Sequence, residues 1–155
     1  MPKNRLASFE EFAQVIAQLP GHSAWRSEAG PSTGSIFTFQ FGLPSDDDDQ
    51  EGEFSLMVYC AWRIVEAGRI VCSWHEDSKT VLAPALQQLL LSGEVTDASL
   101  SPFGDFTIQF ANDRSLQIWN DAPFEEGSEC WSVGYQGRGY YAVESRNRFV
   151  YEEKE

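Results

Sequence analysis

The chain has 155 residues, 42% of them hydrophobic and 14% aromatic, which is the size and make-up of one folded domain with a real core and excludes a disordered segment. Its 24 acids against 11 bases give a net charge of −13, a field that repels phosphate backbones and anionic lipid and argues against direct nucleic-acid or membrane binding. No run approaches the roughly 18 apolar residues of a membrane span, and "MPKNRLASFEEF" lacks the apolar stretch of a signal peptide, so a cytoplasmic protein is expected.

The first element is a helix in "SFEEFAQVIAQLPG". Ser8 and Glu11 have the spacing of a capping box, Phe9, Phe12, Val15, Ile16 and Leu19 share one face, and Pro20-Gly21 supplies the stop. "GHSAWRSEAGPSTG" reads as a loop. From residue 35 the apolar period becomes two. Ile36, Phe37, Phe39 and Phe41 open the pattern. Phe54, Leu56, Val58, Cys60 and Trp62 continue it on one face, with Ser55, Met57, Tyr59, Ala61 and Arg63 on the other. That second face is only half polar, which predicts partial cover.

"RIVEAGRIVCSW" reads as a hairpin turning through the three residues Glu66-Ala67-Gly68. A second helix is expected near 79–92, with Ser78 as its cap, Pro84 in or near its first turn, leucines at 82, 86, 89 and 90, and Gly93 as terminator. Six short strands follow, in "EVTDASLS", "DFTIQFAND", "RSLQIWN", "ECWSVGYQ", "GYYAVES" and "RFVYE". The class expected is α+β: a predominantly antiparallel sheet, strongly curved or split, of about eight to nine strands with one or two packed helices. The single domain 1–155 then comprises an N-terminal helix and loop (1–33), a β-rich body (34–151) and an acidic tail (152–155).

Motifs for catalysis are weak throughout. The three cysteines, Cys60, Cys72 and Cys130, are odd in number, widely spaced and inside strands, which fits buried thiols and no disulfide framework. "DDDDQEGE" puts Glu51 where a calcium loop needs glycine and lacks the acid at its twelfth position, so no metal is expected there. "WHED" holds His75 beside Glu76 and Asp77, but the only other histidine is His22, and no H-x-x-H spacing exists. No glycine-rich phosphate loop or nucleophile elbow is present. No cofactor is implied.

The charge is concentrated. Residues 45–53, "SDDDDQEGE", hold six acids, residues 121–129, "DAPFEEGSE", hold four, and 152–155 add −2. Trp119 stands next to the second run, as an aromatic anchor inside a charged rim would. The partner-contact candidates are therefore Asp46, Asp47, Asp48, Asp49, Glu51, Trp119, Asp121, Glu125 and Glu126.

Four motifs in sequence carry a resemblance: Trp62-Arg63-Ile64 at a strand end, Gly104-Asp105-Phe106 leading to Ile108 and Phe110, a strand around Leu116, and Glu129 two residues before Trp131. Over roughly residues 54–145 this order resembles a group of small uncharacterised bacterial proteins that themselves resemble immunity proteins of polymorphic toxin systems. "SWHED" stands where that group has a glycine- or serine-rich turn. The resemblance implies a non-enzymatic protein that binds and blocks a toxin. With the loop acidity, the expectation is an inhibitor of a basic partner. The alternative is an acidic adaptor, or a decoy mimicking nucleic acid, that binds a host regulatory protein.

Overall fold

The computed structural model describes residues 4–29, 34–46, 50–121, 128–135 and 138–153. In chain order it contains β1 (Asn4–Leu6), α1 (Phe9–Ile16), β2 (Ala24–Glu28), β3 (Phe37–Pro44), β4 (Gly52–Val58), β5 (Ala61–Glu66) and β6 (Arg69–Ser73). A π turn (Ser78–Leu82) then runs into α2 (Ala83–Leu89). The rest is β7 (Val95–Leu100), β8 (Phe106–Phe110), β9 (Arg114–Trp119), β10 (Glu129–Tyr135), β11 (Gly139–Glu144) and β12 (Arg148–Glu153). The strands form two antiparallel sheets, one of seven in the order β1-β12-β11-β10-β4-β3-β2 and one of five in the order β6-β5-β9-β8-β7.

The α+β class and the split sheet are thus as expected, but the strand count is twelve among the described residues, above the expected eight to nine. Two of the extra strands, β1 and β2, come from segments with no alternating pattern; β2 lies inside the stretch expected to be a loop and is held by pairing to β3. The run 54–62, expected to be one strand, is two. At Tyr59 and Cys60 both backbone N–H groups donate to the Cys130 carbonyl, at 2.8 and 3.1 Å, and the chain crosses from the larger sheet into the smaller.

Helix α1 starts as expected, with Ser8 Oγ accepting from Glu11 N at 3.1 Å, but ends at Ala17, before Pro20. For the second helix the cap is Asp77, not Ser78: its carboxylate accepts from Thr80 N at 2.8 Å. Pro84 has no N–H to return to the preceding turn, which winds as π, and regular helix begins beside it. The β5–β6 hairpin turns through two residues rather than three. Glu66 pairs with Arg69, and Ala67 and Gly68 have φ of 49° and 77°, the mirror-image turn that matches strand twist.

The core lies between the sheets. One face of the larger sheet presents Phe37, Phe39, Phe41, Phe54, Leu56, Val58, Trp131, Val133 and Val143, all buried. The smaller sheet answers with Trp62, Ile64, Phe106, Ile108, Leu116 and Ile118. Phe37 meets Trp62 edge-on and Phe106 stacks on Trp131, each with ring centroids 4.7 Å apart. Phe12 of α1 packs edge-on against Trp131, Tyr141 and Phe149, while Leu82, Leu86 and Leu89 beside and within α2 complete the cluster. Both helices therefore face inward, and among the described residues no helix packs on the other face of the seven-stranded sheet.

Candidate functional site

The described ends of the two acidic segments lie near opposite ends of β4 in the seven-stranded sheet. Asp46 and Glu51 flank the β3–β4 connection, beyond the Pro44↔Gly52 pair. Trp119 and Asp121 lead out of β9 toward β10, whose Trp131 pairs with Val58 at the other end of β4. The length of β4, about 20 Å for seven residues, separates them. Asp47, Asp48, Asp49, Glu125 and Glu126 lie outside the described residues. The four described candidates thus make no single cluster: Asp46 and Glu51 lie beyond one end of β4, and Trp119 and Asp121 lie toward the other.

Each exit is held firmly. At the first, Ser45 N donates to Glu51 O at 2.7 Å, and the buried Gln40 reaches along the sheet so that its Oε1 accepts from Gly52 N at 3.0 Å. Gly52 is required here, since a Cβ would stand 2.4 Å from the Phe41 carbonyl oxygen. At the second, Asn120 donates its backbone N–H to Asp105 Oδ1 at 2.9 Å and accepts from Cys130 Sγ at 2.9 Å. Trp119 is half-buried, and the Arg63 guanidinium lies 5.1 Å from its ring centroid while Arg63 Nε donates to Gln117 Oε1 at 2.6 Å.

The outer face of the larger sheet forms a cleft that alternation alone did not reveal. Register aligns two rows across all seven strands: Glu28, Thr38, Met57, Ser132, Ala142, Val150 and Leu6, then Arg26, Gln40, Ser55, Gly134, Tyr140, Glu152 and Asn4. The middle strands carry small side chains, Ser55, Ser132, Gly134 and Ala142, and the flanks carry larger ones. That difference in size hollows the surface into a space of about 290 Å³ between Arg26, Thr38, Gln40, Gln50, Glu51, Met57, Ser132 and Tyr140. Ser55 and Met57, on the face expected to be partly covered, are half-buried and line this space. Gly134 makes room for the Tyr140 ring, whose Cε1 would lie 3.0 Å from an added Cβ.

The rim of this face is acidic. Glu28, Glu51, Glu129, Glu144 and Glu152 stand along it, against Arg26 and Arg148. Both guanidiniums are already engaged, Arg26 with Glu28 at 3.3 Å and Arg148 with Glu144 at 3.6 Å. Glu129 sits at the exposed start of β10, yet the packing around its carboxyl raises its pKa, helped by the charges of Glu144 and Glu152. A carboxyl raised in this way is one that a cation would stabilise.

The remaining polar groups have structural duties. Glu76 Oε2 accepts from Ser73 N at 2.8 Å and Asp77 caps the π turn, so the acids of "WHED" hold the chain between β6 and α2 while His75 is exposed and edge-on to Trp74. His22 contacts Glu53 at 3.5 Å and the Phe54 ring, remote in the sequence from His75. Among the described residues, no three of the His, Cys, Asp or Glu side chains converge as a metal site would require. All three cysteines are free and buried; burial drives the Cys60 thiol well above its ordinary range and the Cys72 thiol to about 11.

No protein-family model, no curated protein and no solved structure matches this chain. No described helix is long and apolar enough to cross a membrane. Of the motif residues that carry the resemblance, Trp62, Ile64, Phe106, Ile108, Phe110, Leu116 and Trp131 are buried in the core, Arg63 is half-buried and Glu129 is exposed. Gly104, at φ 86°, lends its carbonyl to Trp131 Nε1 at 2.8 Å, and Asp105 holds Asn120.

Proposed function

We propose that the protein is a non-enzymatic, immunity-like inhibitor of the cytoplasm that binds and blocks a basic partner, the motif resemblance suggesting a toxin domain encoded nearby. The observation that carries this reading is the placement of the acids: one acid-rich segment joins β3 to β4 within the larger sheet, the other joins β9 of the smaller sheet to β10 of the larger, and the outer face of the larger sheet is rimmed by further carboxylates. A field of that extent speeds encounter with a cationic surface, while retention needs contacts that exclude water. Half-buried Trp119 and the Met57 and Tyr140 walls of the cleft offer such contacts. The thiols favour the same reading, since protonated, enclosed sulfurs are poor nucleophiles.

The test begins with tagged protein in lysate of its native host, washed at low and then high salt, followed by assay of the retained protein's own activity with and without added inhibitor. One basic protein, held through high salt and inhibited at equimolar ratio, is the expected result. Replacing Asp46, Asp47, Asp48 and Asp49 together by Asn should slow association with it about tenfold at low salt and leave the fold and the dissociation rate nearly unchanged. Equal association rates for the two proteins at low salt would remove these residues from the interface. Capture of a DNA-binding regulator in place of an enzyme would favour the decoy.

A further inference from the structure

We infer that the concave outer face of the seven-stranded sheet is the docking groove for an extended, arginine- or lysine-bearing segment of that partner. This rests on the basic-partner reading and says where, and in what form, the partner is held. Three observations lead to it. First, the groove runs across five strands, from Arg26 on β2 to Tyr140 on β11. Four inter-strand spacings make about 19 Å, the length of five or six extended residues.

Second, the groove is lined by polar side chains, among them Thr38, Gln40, Ser55 and Ser132. Ser132 is 6% exposed and Gln40 5% exposed. Gln40 spends its Oε1 on Gly52 N. Hydroxyl and amide groups lining a cleft can exchange water for the N–H and C=O groups of a peptide backbone laid along them. Third, the five rim carboxylates outnumber the two guanidiniums, and both guanidiniums are paired. A cationic side chain reaching from a bound segment meets an acid on either rim, while an acidic or neutral segment would not be selected. The small residues at 55, 132, 134 and 142 are what leave room for that backbone.

The probe is a fluorescein-labelled ten-residue peptide of alternating Arg and Gly, titrated into the full chain at low and at moderate salt, with amide chemical shifts of the chain recorded alongside. Shifts should concentrate on Thr38, Ser55, Ser132 and Tyr140. Ser132→Arg, which fills the floor and brings its own cation, should weaken binding at least tenfold. Thr38→Lys, at a half-buried position on the same face, is the second variant should Ser132→Arg fold poorly, and it should weaken binding several-fold. Shifts confined to residues next to the acidic segments, with full affinity in both variants, overturn the groove and leave the basic-partner reading standing. Absence of binding even at low salt overturns both.

Discussion

Glu11 shows how one side chain ties three elements. It stands in the first turn of α1, where its carboxylate accepts from Arg5 of β1, with Nη1 at 2.9 Å, and from the Tyr141 hydroxyl of β11 at 2.8 Å. Those bonds, the Arg5 contact foremost, hold its pKa at about 2 against an ordinary 4.5, with the Ser8 backbone N–H adding to the effect. The folded value is depressed, so the stability it contributes is fully present above about pH 4.5 and is lost as pH falls toward 2. Its side chain is 30% exposed, which screens the pair, and about 1–2 kcal/mol is the expected loss for Glu11→Gln at pH 7. Urea midpoints measured at pH 7, 4.5 and 2.5 should show the variant less stable at the first and converging on the parent at the last. Equal differences at all three would mean that Tyr141, not the charge, carries the contact.

Single elements show how local and non-local rules divide the work. The β5–β6 hairpin is set by its own turn, where Ala67 occupies a φ of 49° that costs an L-residue with a Cβ about 1 kcal/mol. Ala67→Asn, a residue that tolerates this conformation, should therefore raise stability by about 0.5 kcal/mol, visible as a higher thermal midpoint with an unchanged denaturant slope. Elements of this kind are legible in sequence: the apolar period, the Ser8 cap and the turn residues placed α1 and the strands β3 to β12 near their observed positions. β1 and β2 were not legible, because each is a strand only through the neighbour it pairs with. The groove was less legible still. Ser55, Ser132, Gly134 and Ala142 are ordinary small residues scattered between positions 55 and 142, and only the register of two strand pairs makes them one floor. A faint signal did exist in "WSVGY", where serine and glycine occupy the alternate positions that a sheet packed on both faces would fill with apolar side chains.

At the scale of the molecule, stability is unevenly spread, and the three thiols report on it from different depths. Cys60 and Cys130 lie where the chain crosses between sheets, with the Cys130 carbonyl receiving two backbone N–H groups. Cys72 is equally enclosed, at 1% exposure, but belongs to β6, an edge strand that pairs only with β5 and carries Ile70 and Val71 in contact with solvent. Opening β6 breaks one strand pair; uncovering Cys60 or Cys130 requires parting the two sheets around Phe106, Trp131, Phe37 and Trp62. With a thiol-directed disulfide reagent at pH 8, all three should be silent at first, since burial both blocks the sulfurs and keeps Cys60 and Cys72 protonated. Cys72 should then label at least about tenfold faster than the other two, a gap equivalent to about 1.4 kcal/mol of opening free energy, when the modified peptides are quantified by mass spectrometry. A common rate for all three would show that β6 opens only with the whole domain, and that the edge is as firmly held as the core.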